Sequence, residues 1–232
     1  MRLLSGMIIA LLCSLEPQFA HADAGRNVDP DFEAVRERLS FPVYNYDMTI
    51  KTGETLDIEV VTRIDMTKPK GQRIELVSST DPKVVDTVMK EIRGNDSEND
   101  NLGDIWCDQL SSKVPDTYTT TETSDQTRTI KFVPVAKTEE QRAIFPHLIG
   151  EMTLDAETAS VMGLKLVNTS SFKPSPIAKI RELEIVYTCQ ALENGMLALD
   201  SYSANVKGKA LFQSFKETEV MHWSNFHPVD SK

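Results

Sequence analysis

The last third of the chain constrains the fold most. Five stretches, 147–154, 160–168, 178–190, 196–206 and 209–224, each have the length and residue types of a strand. They are joined by links too short for a crossover helix: Asp155-Ala156-Glu157-Thr158, a loop holding Pro174 and Pro176, Glu193-Asn194-Gly195, and Lys207-Gly208. Parallel neighbours need a dozen or more connecting residues. Such links therefore imply an antiparallel meander over 147–224, and Asn194-Gly195 is a strong hairpin signal.

Upstream, the same period of two recurs. Over 56–66, Leu56, Ile58, Val60, Ile64 and Met66 alternate with Asp57, Glu59, Arg63 and Asp65, as in a strand with one wet face. Residues 43–50 read as the strand before it and 73–78 as the strand after it. Residues 118–123 and 127–135 read as a hairpin turning at Ser124-Asp125-Gln126. Helical spacing is expected over 30–39, where Asp29 can cap and Phe32, Val35 and Leu39 share a face. It is also expected over 83–93, with Val84, Val85, Val88 and Ile92 on one side. Shorter helices are expected over 105–110 and 137–144, and a polar acidic loop over 94–104. The fold class is therefore α+β, with an antiparallel sheet that must cover its apolar face with short helices.

The N-terminus reads as an export signal. Arg2 precedes an apolar run of about 13 residues, and Ala20-His21-Ala22 supplies the small residues of a cleavage site. The run is short of the roughly 20 residues that span a bilayer, so the chain is not read as an integral membrane protein. Cleavage is expected after Ala22, or after Ala24 as the second choice, with 23–232 as a single domain that is periplasmic or secreted. Cys13 lies inside the run after Leu12, where a lipobox needs Gly or Ala, so no lipid anchor is expected. Cys13 leaves with the signal. Cys107 and Cys189 remain, and in an oxidising compartment two thiols of one small domain are expected to pair.

Charge and motifs exclude several functions. Lys+Arg number 25 against 35 Asp+Glu, and the net charge of -10 argues against nucleic acid as a partner. His222 and His227, five apart on a strand, are expected on opposite faces, and no thiol pair with metal-ligand spacing accompanies them. No metal or other cofactor is expected. The run Asn95-Asp96-Ser97-Glu98-Asn99-Asp100-Asn101 lacks the Gly and Glu that an EF-hand loop requires. Ser170 to Lys173 matches S-x-x-K, but in a loop ending at Pro174 instead of a helix. Glu182 and Glu184 alternate with Leu183 and Ile185 as the wet face of a strand. Trp106 and Trp223 read as core anchors. With no catalytic constellation assembled, the reading is non-enzymatic.

A short N-terminal helix, a run of long antiparallel strands and inserted helices are followed by Val206-Lys207-Gly208-Lys209-Ala210-Leu211-Phe212, then Phe215 and Ser224-Asn225-Phe226. This pattern over 30–226 resembles the LolA-like group of exported proteins, the lipoprotein carriers and related periplasmic lipid-binding domains. Residues 63–73 also resemble a stretch of uncharacterised exported bacterial proteins. The LolA resemblance implies an open, strongly curved half-barrel with short helices on its concave face and a cavity for a lipid or other apolar molecule. The expected lining is Met48, Met66, Met152, Leu154, Met162, Leu164, Leu166, Leu183, Ile185, Tyr187 and Met221. Methionine suits a surface that repacks around varied apolar ligands. The alternative is a cell-envelope protein-interaction or sensor module without a bound ligand.

Overall fold

The computed structural model describes residues 41–98, 102, 105–211 and 213–229. The expected signal segment, the helix expected over 30–39 and most of the acidic stretch after Glu98 lie outside these residues.

Eleven strands form one antiparallel sheet: β1 (Tyr44–Thr52), β2 (Ile58–Ile64), β3 (Ile74–Ser79), β4 (Thr119–Thr123), β5 (Thr127–Phe132), β6 (Leu148–Asp155), β7 (Val161–Asn168), β8 (Phe172–Ser175), β9 (Ala178–Ala191), β10 (Leu197–Ala210) and β11 (Gln213–Pro228). The order is β3-β2-β1-β11-β10-β9-β7-β6-β5-β4, with β8 paired to β9 off this path. The expected meander is present, and so are the N-terminal strands and the hairpin. β3 and β4 end the order, so the sheet is open. The pairing of β1 with β11 joins two runs of sequential hairpins, and it could not be read from local links.

One face is apolar and buried. β1 alternates strictly through Tyr44, Tyr46, Met48 and Ile50, and β6 through Leu148, Gly150, Met152 and Leu154. Register extends these positions across strands. Val60, Ile50, Met221, Tyr202, Tyr187, Leu164, Met152 and Ile130 form one continuous row. The opposite face carries cross-strand ion pairs: Lys51 with Glu59 at 2.8 Å, Lys131 with Glu151 at 2.6 Å, and Lys165 with Glu184 at 2.7 Å.

Three further segments join the apolar cluster. Helix α1 (Pro82–Glu98) contributes Val88 and Met89. It runs past the expected end at 93 and takes in Gly94 to Glu98, the first part of the polar stretch, despite the low helix propensity of most of these residues. Helix α2 (Glu139–Ile144) starts at a capping box between Thr138 and the buried Gln141. Between β3 and β4, the helix expected over 105–110 is a 3₁₀ helix, Cys107–Lys113. Several ties hold this strap and the residues that lead into it. The Leu199 N–H donates to the Ile105 carbonyl at 2.7 Å, and Trp106 bridges Ala198. Buried Asp108 accepts from the Val161 N–H at 2.9 Å. The expected Cys107–Cys189 disulfide closes a separation of 82 residues, which stabilises by roughly 4–5 kcal/mol in the chain-entropy model.

Two links differ from expectation. The 172–175 stretch around Pro174 is a short strand, tolerated because among the described residues β8 pairs only with β9 and Pro cannot serve a central ladder. The β10–β11 link falls after Ala210, where β10 ends, not at Lys207-Gly208. Gly208 is a strand residue whose role is close approach: a Cβ there would meet the Lys179 carbonyl at 2.5 Å and the Phe215 ring at 2.7 Å. Gly208→Ala should therefore cost about 1–3 kcal/mol in denaturant unfolding, as overpacking does. Gly195→Asn, with open space around its Cβ position and a left-handed turn that Asn tolerates, should cost far less.

Candidate ligand-binding face

The apolar face gathers most of the residues expected to line a site. Met48, Met152, Leu154, Leu164, Leu166, Leu183, Ile185 and Tyr187 are buried in one cluster, and Met66 and Met221 pack half-buried against it. Met162 does not belong there. It is 40% exposed, because pairing slips between Thr153 and Leu154, so that Val161 enters the core in its place. One inserted residue in a ladder reverses the facing of everything beyond it.

Methionines concentrate on this cluster. Met48, Met89 and Met152 are buried in it, and Met66, Met196 and Met221 lean on its edge. Aromatic side chains close one region of the face. Trp106 stacks on Phe41 at 5.5 Å and meets Tyr44 edge-on at 5.7 Å, while Tyr187 and Tyr202 lie 5.1 Å apart. Trp223 is buried in the same cluster and registers with Met48. The Tyr46 hydroxyl reaches out of the sheet and donates to the Leu102 carbonyl at 2.8 Å.

Sequence reasoning missed the polar members of this face. Glu219 is 3% exposed and registers between Thr52 and Ala204, both buried. The alternation of Phe215, Met221 and Trp223 was the available signal, since Glu219 shares their parity. Thr62 is also buried, its hydroxyl donating to the Met48 carbonyl at 3.2 Å. These groups make an otherwise apolar surface locally polar.

The outer face is organised by charge and hydroxyls. Glu184 and Glu182, expected on the wet face, pair with Lys165 and Lys207. Across β4 to β9 the face has a groove of about 440 Å³ beside Gly163, lined by Thr121, Glu122, Thr129, Lys131, Glu151, Thr153 and Lys165. His222 and His227 both lie on this outer face, contrary to their expected separation. Between them β11 bulges opposite β1, with Asn225 at a left-handed φ of 54°, and the bulge resets the alternation. His222 Nδ1 sits 3.5 Å from Asp200. Among the described residues no cluster of His, Cys, Asp and Glu could hold a metal ion, and no helix is long and apolar enough to cross a membrane.

Asp47 links three strands on the outer face. It accepts from Arg63 Nε at 3.0 Å and from Asn225 Nδ2 at 2.9 Å. Burial alone would raise its carboxyl pKa. The hydrogen bonds from Asn225 and Arg63, with the charges of Arg63 and His227, outweigh burial and hold it below its ordinary 3.8. A carboxyl depressed in the folded state stabilises above its ordinary value and stops doing so as pH falls through the folded value. Asp47→Asn should thus lose about 1 kcal/mol or less at neutral pH, with Arg63 exposed to solvent. The deficit should vanish in melts run well below pH 3.8. For the reversed facing at β7, Met162→Lys should change stability by no more than about 0.5 kcal/mol. Leu164→Ala should cost about 2–5 kcal/mol in the same assay.

Comparison of the chain with protein-family models, curated proteins and solved structures returns no match.

Proposed function

We propose that this is a periplasmic, non-enzymatic protein that holds a lipid or other apolar ligand. In this reading the single mature domain begins after signal cleavage near Ala22 and is LolA-like. The sheet curves strongly into an open half-barrel. Its helices lie over the concave face, with the ligand between helices and sheet. The observation that carries the reading is the gathering of six methionines, Met48, Met66, Met89, Met152, Met196 and Met221, on one apolar cluster. An ordinary core favours branched side chains with defined rotamers. Unbranched thioethers repack at small cost when a ligand enters. Wide burial by thin cover also fits, because short segments can shift without breaking the ladder beneath them.

A second reading, an envelope interaction or sensor module without a ligand, draws on the edge of the sheet. β4 is exposed at all five positions and borders the outer groove, and an open edge can accept an extended peptide.

The test is extraction of the protein purified from its host, followed by mass spectrometry. Acyl-chain lipid at a fixed ratio to protein is expected, together with uptake of a fluorescent fatty acid by the delipidated form. Extracts no richer in lipid than the buffer, combined with no probe uptake, would exclude the ligand and leave the interaction module.

A further inference from the structure

The end of the sheet built by the β8–β9 and β10–β11 turns has three features that folding does not require. The first is exposed aliphatic surface. Ile177 and Leu211 are 51% and 56% exposed, the two largest values among the exposed large apolar side chains of the described residues. They are neighbours, since the Leu211 N–H donates to the Ile177 carbonyl at 3.1 Å. The second is backbone strain at the same place. Leu211 has a left-handed φ of 47°, a conformation that Gly or Asn adopts more readily than a residue with a bulky side chain. A turn selected for folding alone would not place an exposed leucine there.

The third feature is charge. Residues 170–181 and 205–216 contain six Lys and Arg and no Asp or Glu, in a chain whose net charge is -10. Two lysine pairs stand directly opposite each other across β strands, Lys179 with Lys209 and Lys207 with Lys216. Like charges so placed destabilise a sheet. Lys207 is partly offset by Glu182, while Lys173, Lys179 and Lys209 are all exposed. Lys179 and Lys209 lie two residues behind the turn tips, about 7 Å along the strands. Lysines at that depth can reach phosphates while the tips enter the boundary of the acyl chains.

We infer that this end of the sheet docks on an anionic lipid bilayer, Ile177 and Leu211 entering the interface while Lys173, Lys179 and Lys209 meet the headgroup phosphates. A nucleic acid fits less well. The leading groups are aliphatic, and the nearby Phe215 is half-buried with its ring against Gly208, not free to stack on a base. The inference does not depend on a ligand inside the protein, because the tips and lysines are on the outside whether the apolar face is filled or empty.

The experiment is flotation of the mature chain with phosphatidylcholine vesicles, with and without phosphatidylglycerol. Binding is expected only to the vesicles containing phosphatidylglycerol, and it should weaken as salt rises. Ile177→Ser/Leu211→Asn and Lys179→Gln/Lys209→Gln should each weaken it at least about tenfold, since one lysine near a charged surface is worth about fivefold. Both variants should melt no lower than the parent, because Asn suits the left-handed turn and the second variant removes a like-charge pair. Absence of binding, equal binding to uncharged vesicles, or binding that neither variant weakens would overturn the inference. So would retention on DNA without retention on vesicles. Delipidated protein should bind equally well, which separates this result from the failure or success of the internal-ligand reading.

Discussion

Everything in this structure depends on the pairing of β1 with β11. Each half of the sheet pairs its strands in sequence order apart from β8, most of them through short links. Nothing local joins the halves. The β1–β11 ladder does so over nearly the whole chain, and Asp47 and Asn225, 178 residues apart, hydrogen bond on its outer side. On the inner side, Phe226 meets the rings of Tyr44 and Tyr46, and Met48 registers with Trp223. A ladder of such separation is entropically costly to close. It is repaid because it makes one apolar face out of two. Without it, β1 to β3 would be a small meander with one exposed apolar side.

The shared face then sets what the remaining segments must do. The strap of Cys107–Lys113 is fixed by the disulfide to β9 and by Asp108 to β7. It brings Ile105, Trp106 and Leu110 into the cluster. α1 contributes Val88 and Met89 from the side of β3. The methionine-rich cluster that these segments join is the arrangement on which the ligand reading rests. The basic, aliphatic tip lies at an end of the strands and not on this face, so storage of a ligand and contact with a membrane would use separate surfaces.

Much of this could be read in the sequence, for a physical reason. Period-2 alternation and short links are local properties, so β1, β2 and the C-terminal strands lie within a few residues of their expected places. Eight of the eleven expected lining residues are buried because facing follows directly from alternation. Met162 fails because a β-bulge shifts parity without any local signature. His222 and His227 fail for the same reason at Asn225. Lys207-Gly208 has the composition of a turn, but Gly208 marks a crossing too close for a side chain. The β1–β11 pairing is long-range, and it depends on which apolar edges meet, which no single segment encodes. Glu219 was legible in its parity with Met221 and Trp223, yet its charge argued against placing it inside.

Strand-resolved hydrogen exchange under native conditions tests the unifying ladder most directly. The amides of β1 and β11 should exchange only through global unfolding, at the same free energy as those of β9 and β10. Opening of β1 to β3 at a lower free energy, while β11 stays protected against β10, would contradict a single sheet that shares one apolar face.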